Sequence, residues 1–273
     1  MIQMPEYDVT VPHRFDFDKK YFDRVHEHAS AIKEVYEGQQ TLIFTALYGS
    51  QNYNVHHENS DVDTKSIVLP TYRHLILDSP ITSTLDMDGE HAEIKDIRLM
   101  FEQYKKQNIN FLETLYTPYI YINPEFDDVY QELFKHRDMI THYWPRQMIM
   151  AVCGEIQGKY MRYFQNKITE YTPKQLSNMF RLQRTIEHFL KYDNFEQALV
   201  IPNGAEADFL RRLKTNNPYT DAEMVESASE ITSWANQKMY WAKNNLSLMP
   251  DYHVNEFFNE LIYSTFLNHC EKR

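Results

Sequence analysis

Two apolar runs in the first quarter of the chain constrain its fold more than any other feature. They span residues 41–48 and 61–69; both are rich in β-branched residues, and the first also contains Phe44 and Tyr48. Runs of this length and composition are typical of strands, so we predict two strands close together in sequence. Side chains alternate between the two faces of a strand, which would place Asp61 and Asp63 on one face.

The residues around these runs predict a site for a cation and an anion. Two carboxylates side by side are costly unless a cation lies between them, and hard divalent cations prefer oxygen ligands. Gly49 can adopt backbone angles closed to other residues and so bring its N–H close to a ligand. Ser50 stands where a short helix, Gln51 to about His57, could begin, and a helix N-terminus binds the outer phosphates of a triphosphate well. We therefore expect metal carboxylates and a phosphate cradle on adjacent elements.

Gly49-Ser50 followed by Asp61-Val62-Asp63 resembles the signature of the nucleotidyltransferase superfamily that includes DNA polymerase β. More narrowly, the chain is similar to the predicted nucleotidyltransferases of bacteria and their phages. The matching segments are 48–53, 59–65, 110–113, 171–174, 181–182 and 210–214. The resemblance implies an α+β fold, with a polymerase-β-like nucleotidyltransferase core (a mixed sheet flanked by helices) followed by an α-helical domain.

The resemblance also implies a third carboxylate on a later strand. Glu93 is our choice because the residues on either side of it are apolar and suit the core. Glu90 and Asp96 are alternatives, and Asp96 could instead cap the helix that follows. Glu113, in a segment that the narrower family carries after its core, is either a structural ion-pair partner or a catalytic group.

Helical spacing and turn signals predict the remaining organisation. A helix is expected over 18–36, a hairpin about Asp88-Gly89, and a helix over 96–107. After about residue 123 the pattern is almost wholly helical, so we predict a core over 1–122 and a helical domain over 123–273. The expected helices of that domain are 124–137, 145–166, 173–192, 205–215, 221–245 and 253–270.

The activity that the resemblance implies is transfer of a nucleoside monophosphate from a triphosphate, such as ATP, to an acceptor hydroxyl, with release of pyrophosphate. Two Mg²⁺ (or Mn²⁺) ions would be held by Asp61, Asp63 and Glu93, and the outer phosphates by Gly49 and Ser50. The acceptor stays open between an RNA end, a small molecule and a protein. The alternative is a catalytically silent nucleotide-binding or partner-binding module of a two-component system.

Cations on two later helices are further candidates. Lys174 and Arg181 match positions of the family and would assist in binding phosphates. By spacing, Arg184 lies near the same helix face, and Lys159 and Arg162 stand similarly on the preceding helix. The alternative interpretation is a solvated helix surface with ordinary ion pairs.

Composition narrows the class of protein. The net charge of −11 disfavours binding along extended DNA, although a short RNA end in a cleft remains compatible. The two cysteines, Cys153 and Cys270, are far apart in sequence and do not form a disulfide framework. Residues 1–17 lack the apolar segment of a signal peptide, and no apolar run reaches membrane-spanning length. We therefore expect a cytoplasmic protein with no membrane partner.

Overall fold

The computed structural model describes residues 2–5, 17–58, 60–165 and 168–269. The fold is α+β, as predicted, with a five-stranded mixed sheet, flanking helices and a helical C-terminal region. Contacts divide the chain into two compact units. We call them the sheet unit (17–52, 59–144 and 250–273) and the helical unit (1–16, 53–58 and 145–249).

The sheet has the strand order β3-β4-β2-β1-β5, in which β2 and β4 are parallel and the other neighbours antiparallel. The two strands predicted first are confirmed, and they lie at the buried centre of the sheet. The second begins at Asp63 and not at Asp61, so Asp61 precedes the strand and does not share a strand face with Asp63. The strands are β1 Gln40–Tyr48, β2 Asp63–Pro70, β3 Thr82–Met87, β4 Glu90–Asp96 and β5 Ile120–Ile122.

The predicted hairpin is also confirmed. β3 and β4 are joined by Asp88 and Gly89, with φ of 59° and 93°. Positive φ at both central residues is the geometry of the tight turn that matches the twist of paired strands. On its other side β4 pairs in parallel with β2, and this pairing sets which carboxylates lie next to the Asp-x-Asp strand.

Helices cover the sheet. A core cluster of Ala29, Ile32, Leu42, Val68 and Ala92 joins the first helix to three strands. The helices of the sheet unit are α1 Lys19–Val35, α2 Tyr72–Ile76, α3 Ile97–Lys105, α4 Ile109–Leu112, α5 Asp127–Lys135, α6 Arg137–Thr141 and α12 Tyr252–His269, with short 3₁₀ turns at Glu113–Leu115 and Pro124–Phe126.

The helical unit contains five helices among its described residues. Several begin with local capping signals, such as the capping box between Thr220 and Glu223. The helices are α7 Pro145–Tyr163, α8 Thr172–Tyr192, α9 Phe195–Leu199, α10 Ala205–Thr215 and α11 Asp221–Asn245. No helix in the described part of either unit has the length and apolar character needed to cross a membrane.

The grouping by contacts differs from the single division predicted between residues 122 and 123. Residues 123–144 and 250–269 belong with the sheet unit, because aromatic side chains of α5 pack on the sheet and those of α12 pack on α3. Phe44 of β1 meets Tyr130 of α5 with ring centroids 5.6 Å apart, and Phe101 of α3 meets Phe258 of α12 at 4.7 Å.

The chain leaves the sheet unit after Trp144 and returns to it at Pro250. Two hydrogen bonds join the chain on either side of this excursion. The Asp251 N–H donates to the Tyr143 carbonyl oxygen at 2.9 Å, and the Tyr143 hydroxyl donates to Asn255 Oδ1 at 3.0 Å.

A few predictions fall wholly or partly outside the described residues. Asn59 of the family motif, Asn166 at the end of one predicted helix, Cys270 and most of 1–17 are among them. Cys153 is buried in α7.

Candidate functional site

The register of the sheet brings the two predicted motifs to one end of neighbouring strands. Tyr48 pairs with Asp63, so the chain enters Gly49-Ser50 at the point where β2 begins. Asp61 lies just before β2, and the Gln51 side-chain amide donates to its carbonyl oxygen at 2.8 Å. The Gly-Ser turn and the Asp-x-Asp segment are therefore adjacent within the sheet unit.

The helix predicted over 51–57 is wrong. The chain instead forms a turn after Ser50, in which the Asn52 N–H donates to the Gly49 carbonyl oxygen at 3.0 Å. Asn54 follows in the left-handed region with φ of 60°, which asparagine tolerates better than most residues and which ends any helical course. Ser50 is thus not at a helix N-terminus, and a helix dipole contributes nothing to anion binding there.

A buried carboxylate organises this turn. Glu113 is fully buried, and its Oε2 accepts hydrogen bonds from the Gly49 N–H at 3.2 Å and from the Asn52 side-chain amide at 3.1 Å. The Gly49 N–H predicted to grip phosphates is therefore engaged by the protein itself. The interpretation of Glu113 as a structural residue fits these contacts better than a catalytic role.

Asp61 and Asp63 keep carboxylate oxygens accessible. The Asp61 side chain is exposed and makes no ion pair or hydrogen bond with the described residues. Asp63 is half-buried; its Oδ1 accepts from the His91 N–H at 2.9 Å and lies 3.4 Å from His91 Nδ1. These oxygens fit the donor set that Mg²⁺ or Mn²⁺ requires.

Glu93 is held by two cations. Parallel pairing sets it opposite Lys65, whose ammonium bonds Glu93 Oε2, while Lys95 Nζ lies 2.9 Å from Oε1. Burial acts to raise the pKa of Glu93, but the hydrogen bonds from the two lysines outweigh it and lower the pKa. Within the described ranges, no three His, Cys, Asp or Glu side chains are grouped to hold a metal ion. Asp63 and Glu93 lie on neighbouring strands, and both are close enough to Tyr48 to raise the pKa of its hydroxyl.

The two alternatives to Glu93 are engaged in structural contacts as well. Glu90 Oε2 lies 2.5 Å from Arg24 Nε and 3.1 Å from His28 Nε2, which ties β4 to α1. Asp96 caps α3, as the sequence allowed: its Oδ1 accepts from the Arg98 N–H at 2.9 Å, and its Oδ2 pairs with the Arg98 guanidinium at 2.6 Å.

Sequence reasoning missed Lys65. Its side chain is 4% exposed, and its ammonium lies 3.9 Å from the ring centroid of Tyr48 and 4.0 Å from that of Phe111. Burial lowers the pKa of Lys65, and the hydrogen bond with Glu93 opposes this effect. The available signal was a lysine two residues after Asp63 inside an otherwise apolar run.

Of the three cations predicted to line one face of α8, one is exposed and two are buried. Lys174 is exposed, whereas Arg181 is buried with its guanidinium carbon 3.8 Å from the ring centroid of Tyr53. Arg184 is an internal ion-pair partner instead, with Nε 2.8 Å from Glu206 Oε1.

On the preceding helix, α7, the predicted cations lie at the surface or in an ordinary ion pair. Lys159 Nζ is 3.3 Å from Glu155 on the same helix and 3.0 Å from the side chain of Gln175. Arg162 is exposed. For this pair the interpretation as a solvated helix surface is the better one.

A scan against protein-family models finds no match for this chain, and a search of curated proteins finds none either. The resemblance to nucleotidyltransferases therefore rests on the motifs in the sequence, and it stays a prediction.

Proposed function

We propose that the chain is a metal-dependent nucleotidyltransferase, which moves a nucleoside monophosphate from a triphosphate to an acceptor hydroxyl and releases pyrophosphate. The observation that carries the proposal is the pairing of Tyr48 with Asp63. This pairing brings the Gly49-Ser50 turn next to Asp61 and Asp63. Nucleotidyl transfer requires the phosphate-binding turn and the metal-binding carboxylates to be this close.

In this proposal Asp61 and Asp63 hold Mg²⁺ or Mn²⁺ through carboxylate oxygens. A metal ion held there would lower the pKa of the acceptor hydroxyl and neutralise charge on the triphosphate. The Ser50 hydroxyl donates to a phosphate oxygen. The N–H of Gly49 already donates to Glu113, so it is not free to bind phosphate. The role of Gly49 is to allow the tight turn, because its φ of 111° is accessible to glycine and rarely to other residues.

Glu93 can serve as the third carboxylate only if it exchanges its lysines for a metal ion. Lys65 and Lys95 would then be released toward the negative charge of the triphosphate, so the exchange keeps every charge paired.

A second candidate is a catalytically silent nucleotide-binding or partner-binding module. The observation that favours it is that two groups expected to bind ligand already have partners within the protein. Glu93 is paired with Lys65 and Lys95, and the Gly49 N–H donates to Glu113. The accessible carboxylates of Asp61 and Asp63 count against it, because a module that does no chemistry has no need of them.

The test is incubation of the protein with Mg²⁺ or Mn²⁺ and each α-labelled triphosphate, separately, with cellular RNA, protein extract and small-molecule extract. We expect label in one fraction and its loss, by on the order of a thousandfold, in Asp61→Asn and Asp63→Asn. Asp78→Asn is the matched control, since Asp78 is exposed in the same unit and asparagine tolerates its φ of 46°.

The outcomes separate the candidates. Activity near that of the wild type in Asp61→Asn or Asp63→Asn would overturn the proposal. Metal-dependent binding of triphosphate with no label in any fraction would favour the silent module. Release of orthophosphate instead of pyrophosphate would indicate a phosphohydrolase.

A further inference from the structure

The helical unit contains a cavity of about 460 Å³ whose lining residues take no part in the proposed transfer. Its walls come from α8, α10, α11 and the segment 2–5. The Ile2 N–H donates to Ser227 Oγ at 3.0 Å, and this buried hydrogen bond holds the segment against α11. Sites for small molecules usually have volumes of roughly 300–1,000 Å³. The cavity is therefore large enough for an organic ligand.

Carboxylates outnumber cations on the wall of this cavity. Glu187 on α8, Glu206 on α10 and Glu230 on α11 line it. Among its lining residues in the described ranges, Arg184 is the one arginine or lysine. A concave surface with an excess of one charge concentrates ions of the opposite charge. The cavity is therefore suited to a cation.

Arg184 compensates Glu206 only in part. Its Nε lies 2.8 Å from Glu206 Oε1, but its Nη1 donates to the Ala198 carbonyl oxygen at 2.9 Å, so the guanidinium is shared. The Glu206 side chain is 7% exposed, and its Oε2 has no hydrogen-bond donor among the described residues. Burial raises the pKa of Glu206, and the pairing with Arg184 offsets only part of that effect. A second cation in the cavity would stabilise the ionised carboxylate.

Glu230 is better placed than Glu187 to join Glu206 in binding a ligand. It is half-buried, lines the cavity and forms no hydrogen bond or ion pair with the described residues. Glu187 is exposed, and its Oε1 accepts from the Gln183 side-chain amide at 3.2 Å. Glu206 and Glu230 are thus the two carboxylates with oxygens left for a ligand.

The other lining residues indicate an organic cation and not a metal ion. Several are apolar, namely Ile2, Met4, Pro5, Phe180 and Ile231. Such side chains cover methylene groups well but offer no oxygen ligand to a hard metal ion. In the described part of the chain, no three His, Cys, Asp or Glu side chains are grouped to hold a metal ion. The occupant that fits is a methylene chain with positively charged ends.

We propose that this cavity binds an aliphatic diamine or polyamine, with one ammonium group at Glu206, another at Glu230 and the methylene chain against the apolar side chains. Each ammonium group can donate three hydrogen bonds, and those to carboxylates are charge-assisted. The methylene chain lets one ligand reach carboxylates on two different helices. All of the lining residues belong to the helical unit, so the site does not depend on the proposed transfer at Asp61 and Asp63.

Calorimetry of the full chain without triphosphate tests this site, with putrescine, spermidine, butylamine and Ca²⁺ as the probes. We expect putrescine and spermidine to bind more tightly than butylamine, which has the chain length of putrescine but a single amine. Glu206→Gln and Glu230→Gln should each weaken putrescine binding about tenfold, since each removes a charge-assisted hydrogen bond.

Asp221→Asn is the matched control. Asp221 is exposed on the same helix as Glu230 but does not line the cavity, and the charge change is equal. It should bind putrescine as the wild type does. Asp61→Asn should also bind putrescine normally, which separates this site from the proposed catalytic one.

The two cavity variants differ in their effect on folding. Glu206→Gln leaves Arg184 buried without its carboxylate and so lowers stability, and circular dichroism must show that the variant is folded before its binding is measured. Glu230→Gln leaves the buried ion pair intact. It carries the test by itself if Glu206→Gln does not fold.

The outcomes decide between a built site and attraction to an acidic protein. Weaker binding in Glu230→Gln, with normal binding in Asp221→Asn, supports the proposal. Absence of amine binding, or equal affinity in the wild type and Glu230→Gln, would overturn it. Equal affinity for putrescine and butylamine would overturn contact with two carboxylates. Displacement of putrescine by equimolar Ca²⁺ would assign the cavity to a metal ion and overturn the organic cation.

Discussion

Two buried arginines on one helix differ in what surrounds them. Arg184 is 1% exposed, ion-pairs with Glu206 and donates to the Ala198 carbonyl oxygen at 2.9 Å. Arg181, three residues earlier, is 5% exposed and lies against an aromatic ring, with two nitrogens lacking acceptors among the described residues. Of these two buried arginines, one has a carboxylate partner and the other an aromatic one.

The difference teaches which buried charges stabilise the fold and which do not. A buried charge with an internal partner contributes to folding, and removing its partner leaves an uncompensated charge. A buried charge without a carboxylate partner contributes little to folding, because its desolvation is only partly offset. Lys65 of the sheet unit, paired with Glu93, belongs to the first kind.

The largest effect is expected for Arg184→Met, which leaves the Glu206 carboxylate buried without its cation. We expect the free energy of unfolding at neutral pH to fall by about 3–5 kcal/mol. Burial raises the pKa of Glu206 and Arg184 opposes this, so the variant raises it further. The folded variant then binds more protons than its unfolded form, and its stability falls as the pH rises above about 4.3.

Urea denaturation of Arg184→Met at several pH values measures both effects. Arg212→Met, an exposed change on α10, controls for the loss of one positive charge. A loss below about 1 kcal/mol with no added pH dependence would show that Arg184 is not the structural partner of Glu206.

A smaller effect is expected for Glu93→Gln, which removes the carboxylate from Lys65. We expect a loss of about 2–3 kcal/mol, because the Tyr48 and Phe111 rings retain part of the stabilisation of the ammonium. The pKa of Glu93 is lowered, so its contribution is present above the unfolded value of about 4.3 and is lost as the pH falls through the folded value.

The acid limb of the urea-stability profile checks this prediction. It should be flatter in Glu93→Gln than in the wild type, while Glu102→Gln, which breaks a surface pair with Lys105, should cost at most about 0.5 kcal/mol. Equal profiles in the wild type and Glu93→Gln would contradict a structural role for this carboxylate.

The smallest effect is expected for Arg181→Met. Loss of the contact with Tyr53 and relief of an unpartnered buried charge oppose each other, so stability should change by no more than about 1 kcal/mol. Urea denaturation of the wild type and the variant measures this difference. A loss as large as that of Arg184→Met would place both arginines among the structural charges.

Local chemistry explains which elements could be predicted. The bounds of α10 and α11 match the prediction, because the signals that start and stop them lie within a few residues, as with Thr220 and Glu223. β5 was missed because it has three residues and exists only through its pairing with 44–46 of β1. The helix predicted after Ser50 failed because hydrogen bonds to Glu113, distant in sequence, hold the turn.

In the candidate site, too, contacts between neighbouring segments could be predicted and contacts between distant segments could not. The adjacency of Gly49-Ser50 and Asp61-Val-Asp63 follows from two neighbouring strands and was predicted, whereas the pairing of Glu93 with Lys65 depends on the parallel register of β2 and β4. The partial burial of Lys214 depends on the packing of the segment 53–58 with helices that begin after residue 145. No short-range signal in the sequence reports such packing.

The hydrogen bond between Tyr143 and Asp251 has a consequence for engineering the chain. It brings residues 144 and 250, which flank the 145–249 stretch, close together within the sheet unit. A short Gly-Ser linker between 144 and 250 would span the gap, because closing a short loop carries little entropic cost. Such a fragment would contain β1 to β5 and α12, but it would lack the helices that pack against the segment 53–58. Tyr53 would lose its contact with Arg181, so it is the residue to replace with a polar one in that fragment.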